Sequence, residues 1–192
     1  MTGRTHDLAA FAALSFVVTT QTLHTLTLST ALVAIASNLI GGITPDIDQP
    51  TAPFWRNLPI GGVIGRIFDP LLGGHRFLSH SIVGAALFGT GWFYILKILK
   101  PSFPHLNMEI IWWAFIIGYI SHLVMDTITK EGVPWLLPIP IKFAIPPIKA
   151  LRVTTGGFVE KYIVFGLLLL FIVYVYWTHY PFFLTLLRHL VK

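Results

Sequence analysis

Histidine and aspartate recur in this chain at spacings that suit metal coordination. In GYISHLVMDTIT, His122 and Asp126 stand four residues apart. On a helix that spacing puts both on one face, close enough to converge on one ion. In GGHRFLSHS, His75 and His80 lie five apart across an expected loop-to-helix boundary, and the Gly-Gly before them permits close backbone approach. In TPDIDQP, Asp46 and Asp48 flank a single residue; such a pair offers hard oxygen ligands, or one ligand and one general base. His6 and Glu160 extend the set to four histidines and four carboxylates. Each motif alone has a plainer reading: a His–Asp bond gluing helices, a helix cap built with Ser79 and Ser81, a turn after Pro45. Together they form a mixed N/O donor set suited to zinc, and also to manganese or iron. They outnumber the needs of one ion, so two or three divalent ions are expected. Paired ions activate a water and clamp the attacking and leaving oxygens in phosphoryl transfer. Arg76, beside His75, is a fork-shaped donor matched to phosphate, or else a surface arginine that sets topology.

The elements that must position these groups are apolar and long. The chain has 192 residues, enough for one domain over 1–192, and 55% of them are hydrophobic. Only 11% are charged, against about 25% in an ordinary soluble domain, and a soluble core of this size could not hide so much apolar surface. The reading is an all-α polytopic membrane protein. Five membrane-embedded helices are expected, at roughly 7–24, 28–44, 78–99, 108–129 and 160–179. The last carries an aromatic cluster suited to a membrane interface, and PFFLTLLRHLVK after it reads as an amphipathic interfacial helix. Two Pro/Gly-rich connections, 45–77 and 130–159, are too broken to span and too apolar to be loose tails. They are expected to fold over a site or dip into the interface. The N-terminus faintly resembles a signal peptide, but His6, Asp7 and the lack of a clean cleavage site predict that it is retained.

Alternating spans place the polar groups. His6, Asp46, Asp48, His75, His80, His122, Asp126 and Glu160 all fall at one membrane boundary; His24, His105, His179 and His189 fall at the other. Lys97, Lys100, Arg188 and Lys192 lie on that far side, leaving nine of the thirteen Lys and Arg with the ligand candidates. By the positive-inside rule this boundary is cytoplasmic, in a cell membrane of the prokaryotic inner or plasma type. The net charge of +5 comes without any Lys/Arg run, so no nucleic-acid partner is expected. The absence of cysteine excludes disulfides and thiolate metal sites.

PDIDQP, GHRFLSHS and GYISHLVMDTITKEGVPWLLP, in that order after an early His6 and before GGFVE, resemble the YdjM-like family of membrane-bound metal-dependent hydrolases. The resemblance covers nearly the whole chain. It departs at Phe77, where such proteins often have glycine in an HRGxTHS pattern, and at Ser79, where threonine is usual. It implies a hydrolase whose substrate is poorly defined. More distantly, the helical His-x-x-x-Asp pair with an N-terminal His, an upstream Asp and a later Glu is similar in layout to zinc-dependent phospholipase C and P1-type nucleases. By that likeness His122 and Asp126 ligate metal, Glu160 completes a site, and Asp46 or Asp48 is the base. The expectation is a phosphoester hydrolase acting on a phospholipid or lipid-linked phosphate, with Arg76 on the phosphate. The competing readings are a metal transporter or sensor, which would need polar lining through the membrane, and a scaffold with a structural metal.

Overall fold

The computed structural model describes residues 1–21, 26–50, 55, 59, 61–63, 65–66, 76–139 and 141–191. Among these the fold is all-helical. Helix α1 is Gly3–Val18, α2 is Leu28–Ile43, α3 is Ile82–Leu99, α4 is Met108–Thr127, α5 is Phe165–Thr178 and α6 is Tyr180–Val191. A 3₁₀ turn, Thr44–Asp48, extends α2, and a π-helical turn, Val159–Val164, leads into α5. Among the described residues, four stretches are long and apolar enough to cross a membrane: Leu28–Asp48, Ile82–Leu99, Met108–Thr127 and Val159–Thr178. The chain is an integral membrane protein. The first of the five expected helices, α1, has 16 residues, short of the roughly 20 a free-standing span needs. It also starts earlier than the apolar run predicts, because Gly3, Arg4 and Thr5 are already helical.

Side-chain caps set the other starts. Thr27 accepts from the Thr30 N–H, Ser81 from Gly84, and Asn107 from Glu109 and Ile110. The Ser81 cap explains why α3 begins at Ile82 and not at 78, leaving 78–81 in a turn.

Helix α4 is the centre of the bundle, packing against α1, α2 and α3. Its contact with α2 is backbone on backbone. A Cβ on Gly118 would lie 2.0 Å from the Asn38 carbonyl oxygen, and one on Gly41 would lie 2.1 Å from that of Phe115. Hydrophobic driving force is weak between helices in lipid, so close packing of small residues and interhelical hydrogen bonds hold them together. Accordingly Ser37 Oγ donates to the Ile111 carbonyl (2.8 Å), Asn38 Nδ2 to Ala114 (3.0 Å), and Trp92 Nε1 to Ser37 Oγ (2.9 Å). Ala114, Gly118, His122 and Asp126 follow one another at intervals of four, so one stripe of α4 runs from this crossing into the polar cluster. The outward faces are apolar and open, with Leu170 66% and Ile98 76% exposed, as lipid-facing helices require.

The alternation expected from the sequence is present. The starts of α1, α3 and α5 and the ends of α2 and α4 lie together, and every described ligand candidate sits at that end.

Candidate metal centre

His122 fixes the geometry of the centre. Because Gly118 lets α2 approach so closely, the carbonyl of Gly42 lies 2.6 Å from His122 Nδ1. That carbonyl can only accept, so Nδ1 carries the proton and the Nε2 lone pair faces the cluster. An outer partner of this kind is what orients metal-ligating histidines. The His6 ring stacks on His122, centroids 3.6 Å apart and planes within 7°, and His80 meets His122 edge-on at 5.2 Å.

The three Nε2 atoms converge on Asp126. His6 Nε2 lies 3.3 Å from Oδ1, and His80 and His122 Nε2 lie 3.6 and 3.7 Å from Oδ2. Asp46 Oδ1 closes the other side, 3.8 Å from His80 Nε2 and 3.6 Å from His122 Nε2. Donors at about 2.0–2.1 Å from a tetrahedral zinc lie about 3.3 Å from one another, so these separations are close to those of an ion's ligands. Two overlapping triads satisfy the spacing: His6, His122 and Asp126, and Asp46, His80 and His122. Both ring nitrogens of His6 and Nε2 of His122 are buried without a hydrogen-bond partner. Orphaned buried donors and acceptors each cost about 1–3 kcal/mol, and a cation would engage His122 Nε2 together with one ring nitrogen of His6. The donor set therefore fits a divalent metal.

Asp46 and Asp48 separate cleanly. The 3₁₀ turn that carries them opens with Thr44-Pro45, and its tight pitch sends their carboxylates to different places. Asp46 keeps 19% of its side chain exposed at the mouth of the cluster, whereas Asp48 is fully buried. Oδ2 of Asp48 accepts from the Arg76 backbone N–H (2.9 Å) and Ser79 Oγ (2.5 Å) and lies 3.3 Å from His80 Nδ1. Asp48 stands behind His80 and orients it. Burial works against a charged His80, but the carboxylates of Asp126 and Asp48 more than offset it, so its pKa lies above the ordinary histidine value.

Arg76 is only 4% exposed. Its guanidinium ion-pairs with Asp126 Oδ2 at 2.6 Å, donates to Thr129 Oγ1 at 2.8 Å and approaches Glu131 at 3.4 Å. Its φ of +58° is unusual for a residue with a side chain. That left-handed turn lets the backbone N–H reach Asp48 while the side chain reaches Asp126. The expected phosphate donor is thus committed to the protein's own carboxylates.

Glu160, expected as a ligand, lies outside both triads. Its Oε1 accepts from the Thr2 N–H, Thr2 Oγ1 and Thr5 Oγ1 at 2.7–2.8 Å, and its Oε2 accepts from the Gly156 N–H at 2.7 Å. It clamps the residues just before His6. The α-amino group of Met1 is buried beside Asp126 Oδ1. His75 and His24 lie outside the described residues. His105, His179 and His189 lie at the opposite end of the bundle. Sequence reasoning missed the Gly42 carbonyl, Thr129, Thr2 and Thr5. The small residues Gly41, Gly42 and Gly118 were the available signal for the first; nothing local announces the others.

The comparisons with known proteins agree on kinship. The chain is 30% identical over 177 residues to the uncharacterized protein YvsG of Bacillus subtilis (strain 168), covering 92% of this chain and 95% of that one. It is 31% identical over 115 residues to the inner membrane protein YdjM of Escherichia coli (strain K12), covering 58% of this chain and 53% of that protein. No solved structure matches. The model of the family described as YdjM inner membrane protein matches residues 1–189, and the chain belongs to that family.

Proposed function

We propose that this protein is a membrane-embedded, metal-dependent hydrolase that cleaves a phosphoester in a phospholipid or lipid-linked phosphate. The observation that carries the reading is the convergence of His6, His80 and His122 Nε2 with Asp126 and Asp46 at one membrane boundary. In this reading His6, Asp46, His80, His122 and Asp126 hold divalent ions, zinc foremost. When bound, the metal would supply Lewis acidity and lower the pKa of a water. Asp46, the member of the set that reaches the surface, would turn Oδ1 to the ion and serve as proton acceptor through its other carboxylate oxygen. Asp48 and Gly42 hold His80 and His122 in orientation through their Nδ1 atoms. Arg76 holds the Asp126 carboxylate in place, and so acts on the centre through its ligand. The buried walls exclude water from all but the Asp46 side, which strengthens every charge interaction within. The cytoplasmic boundary of an inner membrane is the proposed location, on the charge count and on the name of the E. coli relative.

Donors gathered at one end support hydrolysis over transport, which needs a path between the two faces. The test is elemental analysis of detergent-purified protein together with a screen of phospholipids and lipid phosphates, before and after chelation. Bound zinc or manganese, product release abolished by chelator and restored by metal, and an Asp46→Asn variant that turns over far more slowly are expected. A chelated protein that keeps its full activity would sink the mechanism.

A further inference from the structure

The connection between α4 and α5 is ordered yet turns its greasiest side chains outward. Backbone hydrogen bonds join Val133 and Phe143 in both directions at 2.9 Å, Lys130 N–H to Val153, Val153 N–H to Ile128, and Ile145 N–H to Thr127. Arg152 donates to the carbonyls of Pro146 and Pro147, both at 2.8 Å. Trp135 anchors the base, its backbone carbonyl accepting from Ile82 and its indole N–H donating to Thr127. On this fixed frame Leu136, Ile139, Ile141, Ile145, Ile148 and Leu151 are 48–67% exposed. Exposed apolar side chains on an ordered segment of this kind mark an interface. Lys142 and Lys149 are exposed next to Ile141 and Ile148 in sequence, and Lys130 and Lys161 are exposed just outside the stretch. Glu160 is buried against Thr2 and Thr5, while Glu131, 59% exposed, approaches Arg76 at 3.4 Å.

We propose that residues 133–139 and 141–158 form a preassembled docking platform whose partner is the anionic headgroup layer of the leaflet at the centre's end of the bundle. Both ends of the segment continue directly into spans, so its apolar tips lie at the level where headgroups meet acyl chains. Exposed apolar tips with lysines beside them in sequence match an anionic lipid surface, with the tips entering the acyl boundary and the ammonium groups staying among the phosphates. The lysine pattern favours this occupant over a second protein copy, which would have to place its own acids against them. Arg76 contacts Thr129 and approaches Glu131, in the stretch that joins α4 to the platform. This surface is independent of whether the centre hydrolyses anything.

The chain contains no cysteine, so Ile148→Cys gives a single labelling site on full-length protein, with Ile141→Cys as a second. An environment-sensitive fluorophore at each position is read in lipid nanodiscs of phosphatidylcholine, with and without phosphatidylglycerol. Ser102→Cys, in the exposed α3–α4 turn, serves as the aqueous reference. The expected result is quenching by a nitroxide placed near the headgroup end of the acyl chain, with shielding from iodide. Phosphatidylglycerol should at least double that nitroxide quenching, and Lys142→Glu with Lys149→Glu should remove the increase. Iodide quenching equal to that at Ser102→Cys would overturn the proposal. So would shielding from both quenchers, which would mean that protein covers the surface, or nitroxide quenching indifferent to phosphatidylglycerol.

Discussion

The two ends of this helical bundle solve opposite problems with the same helices. At the end where α2 and α4 finish, three histidines and two aspartates are buried around Arg76 and the Met1 amine, with Asp46 at the mouth. At the other end, a cavity of about 460 Å³ lies between α1, α2, α5 and α6, lined by residues such as Phe11, Leu14, Tyr176, Phe183 and Leu187. Polar groups at that end form short local chains, as where Thr27 Oγ1 donates to Thr30 Oγ1, which also accepts from the Asn107 N–H. Lys100 reaches the carbonyls of Pro104 and Leu106 from an exposed position, and Asn107 caps α4. At the first end each polar group depends on several others, and three ring nitrogens of His6 and His122 still lack hydrogen bonds. Ionisable groups at membrane depth are costly and persist where they are paired or serve function. The difference teaches that one end is held by interchangeable apolar contacts and the other by a network that must be complete.

The most severe way to break that network is Asp126→Ala. The carboxylate meets His6, Arg76, His80, His122 and the Met1 amine. Its loss leaves the Arg76 guanidinium buried without its main partner, a defect worth about 3–5 kcal/mol. Thermal unfolding should show a large fall in Tm, and elemental analysis should find no bound metal. Lys100→Ala, made at the opposite end as the comparison, should cost under about 1 kcal/mol and leave metal content unchanged. Equal effects from the two substitutions would dissolve the contrast between the ends.

Gly118→Ala comes next, and it strikes the centre from a distance. The added Cβ would sit 2.0 Å from the Asn38 carbonyl oxygen and 2.9 Å from the Gly42 nitrogen, so α2 and α4 must part. Overpacking of this kind costs about 1–3 kcal/mol. The displaced Gly42 carbonyl would also release His122 Nδ1, so metal affinity should drop at least about tenfold. A titration with zinc that gives the wild-type affinity would show that the helix crossing and the centre are uncoupled. Asp48→Asn is milder, since it removes charge from behind His80 and leaves the Asp46 side intact. Its metal affinity should fall by about 10–100-fold, with the fold retained.

Much of this was legible in the sequence, for definite reasons. The His122–Asp126 spacing survives because a long apolar helix leaves one geometry for residues four apart. The gathering of His6, Asp46, His80, His122 and Asp126 at one boundary follows from alternating spans alone. What spacing could not resolve was the division of labour. Asp46 and Asp48 differ by two positions, and only the 3₁₀ turn after α2 decides which reaches the mouth and which is buried. Arg76 looked available for phosphate because nothing local predicts a positive φ that aims its side chain at Asp126. The crossing at Gly41, Gly42 and Gly118 was hidden because apolar helices in lipid have no polar face to say which sides meet.

Glu160 gives the smallest and most discriminating effect. In sequence it reads as a further metal ligand; in the fold it receives four hydrogen bonds from Thr2, Thr5 and Gly156. The two roles respond differently to Glu160→Gln. A glutamine can keep its oxygen where Oε1 stands and accept the three bonds from Thr2 and Thr5, losing only the one from Gly156. Helix α1 would then still start in place and present His6, so metal affinity should fall only a few-fold. Glu160→Ala frees the segment before His6 and should weaken binding by about tenfold or more, in the range found for partners that orient ligands. A directly coordinating carboxylate would make the glutamine nearly as harmful as the alanine, because an amide binds zinc poorly. Zinc titration of the two variants side by side therefore decides whether the network at this end stops at Asp126 or reaches into the first turn of the last span.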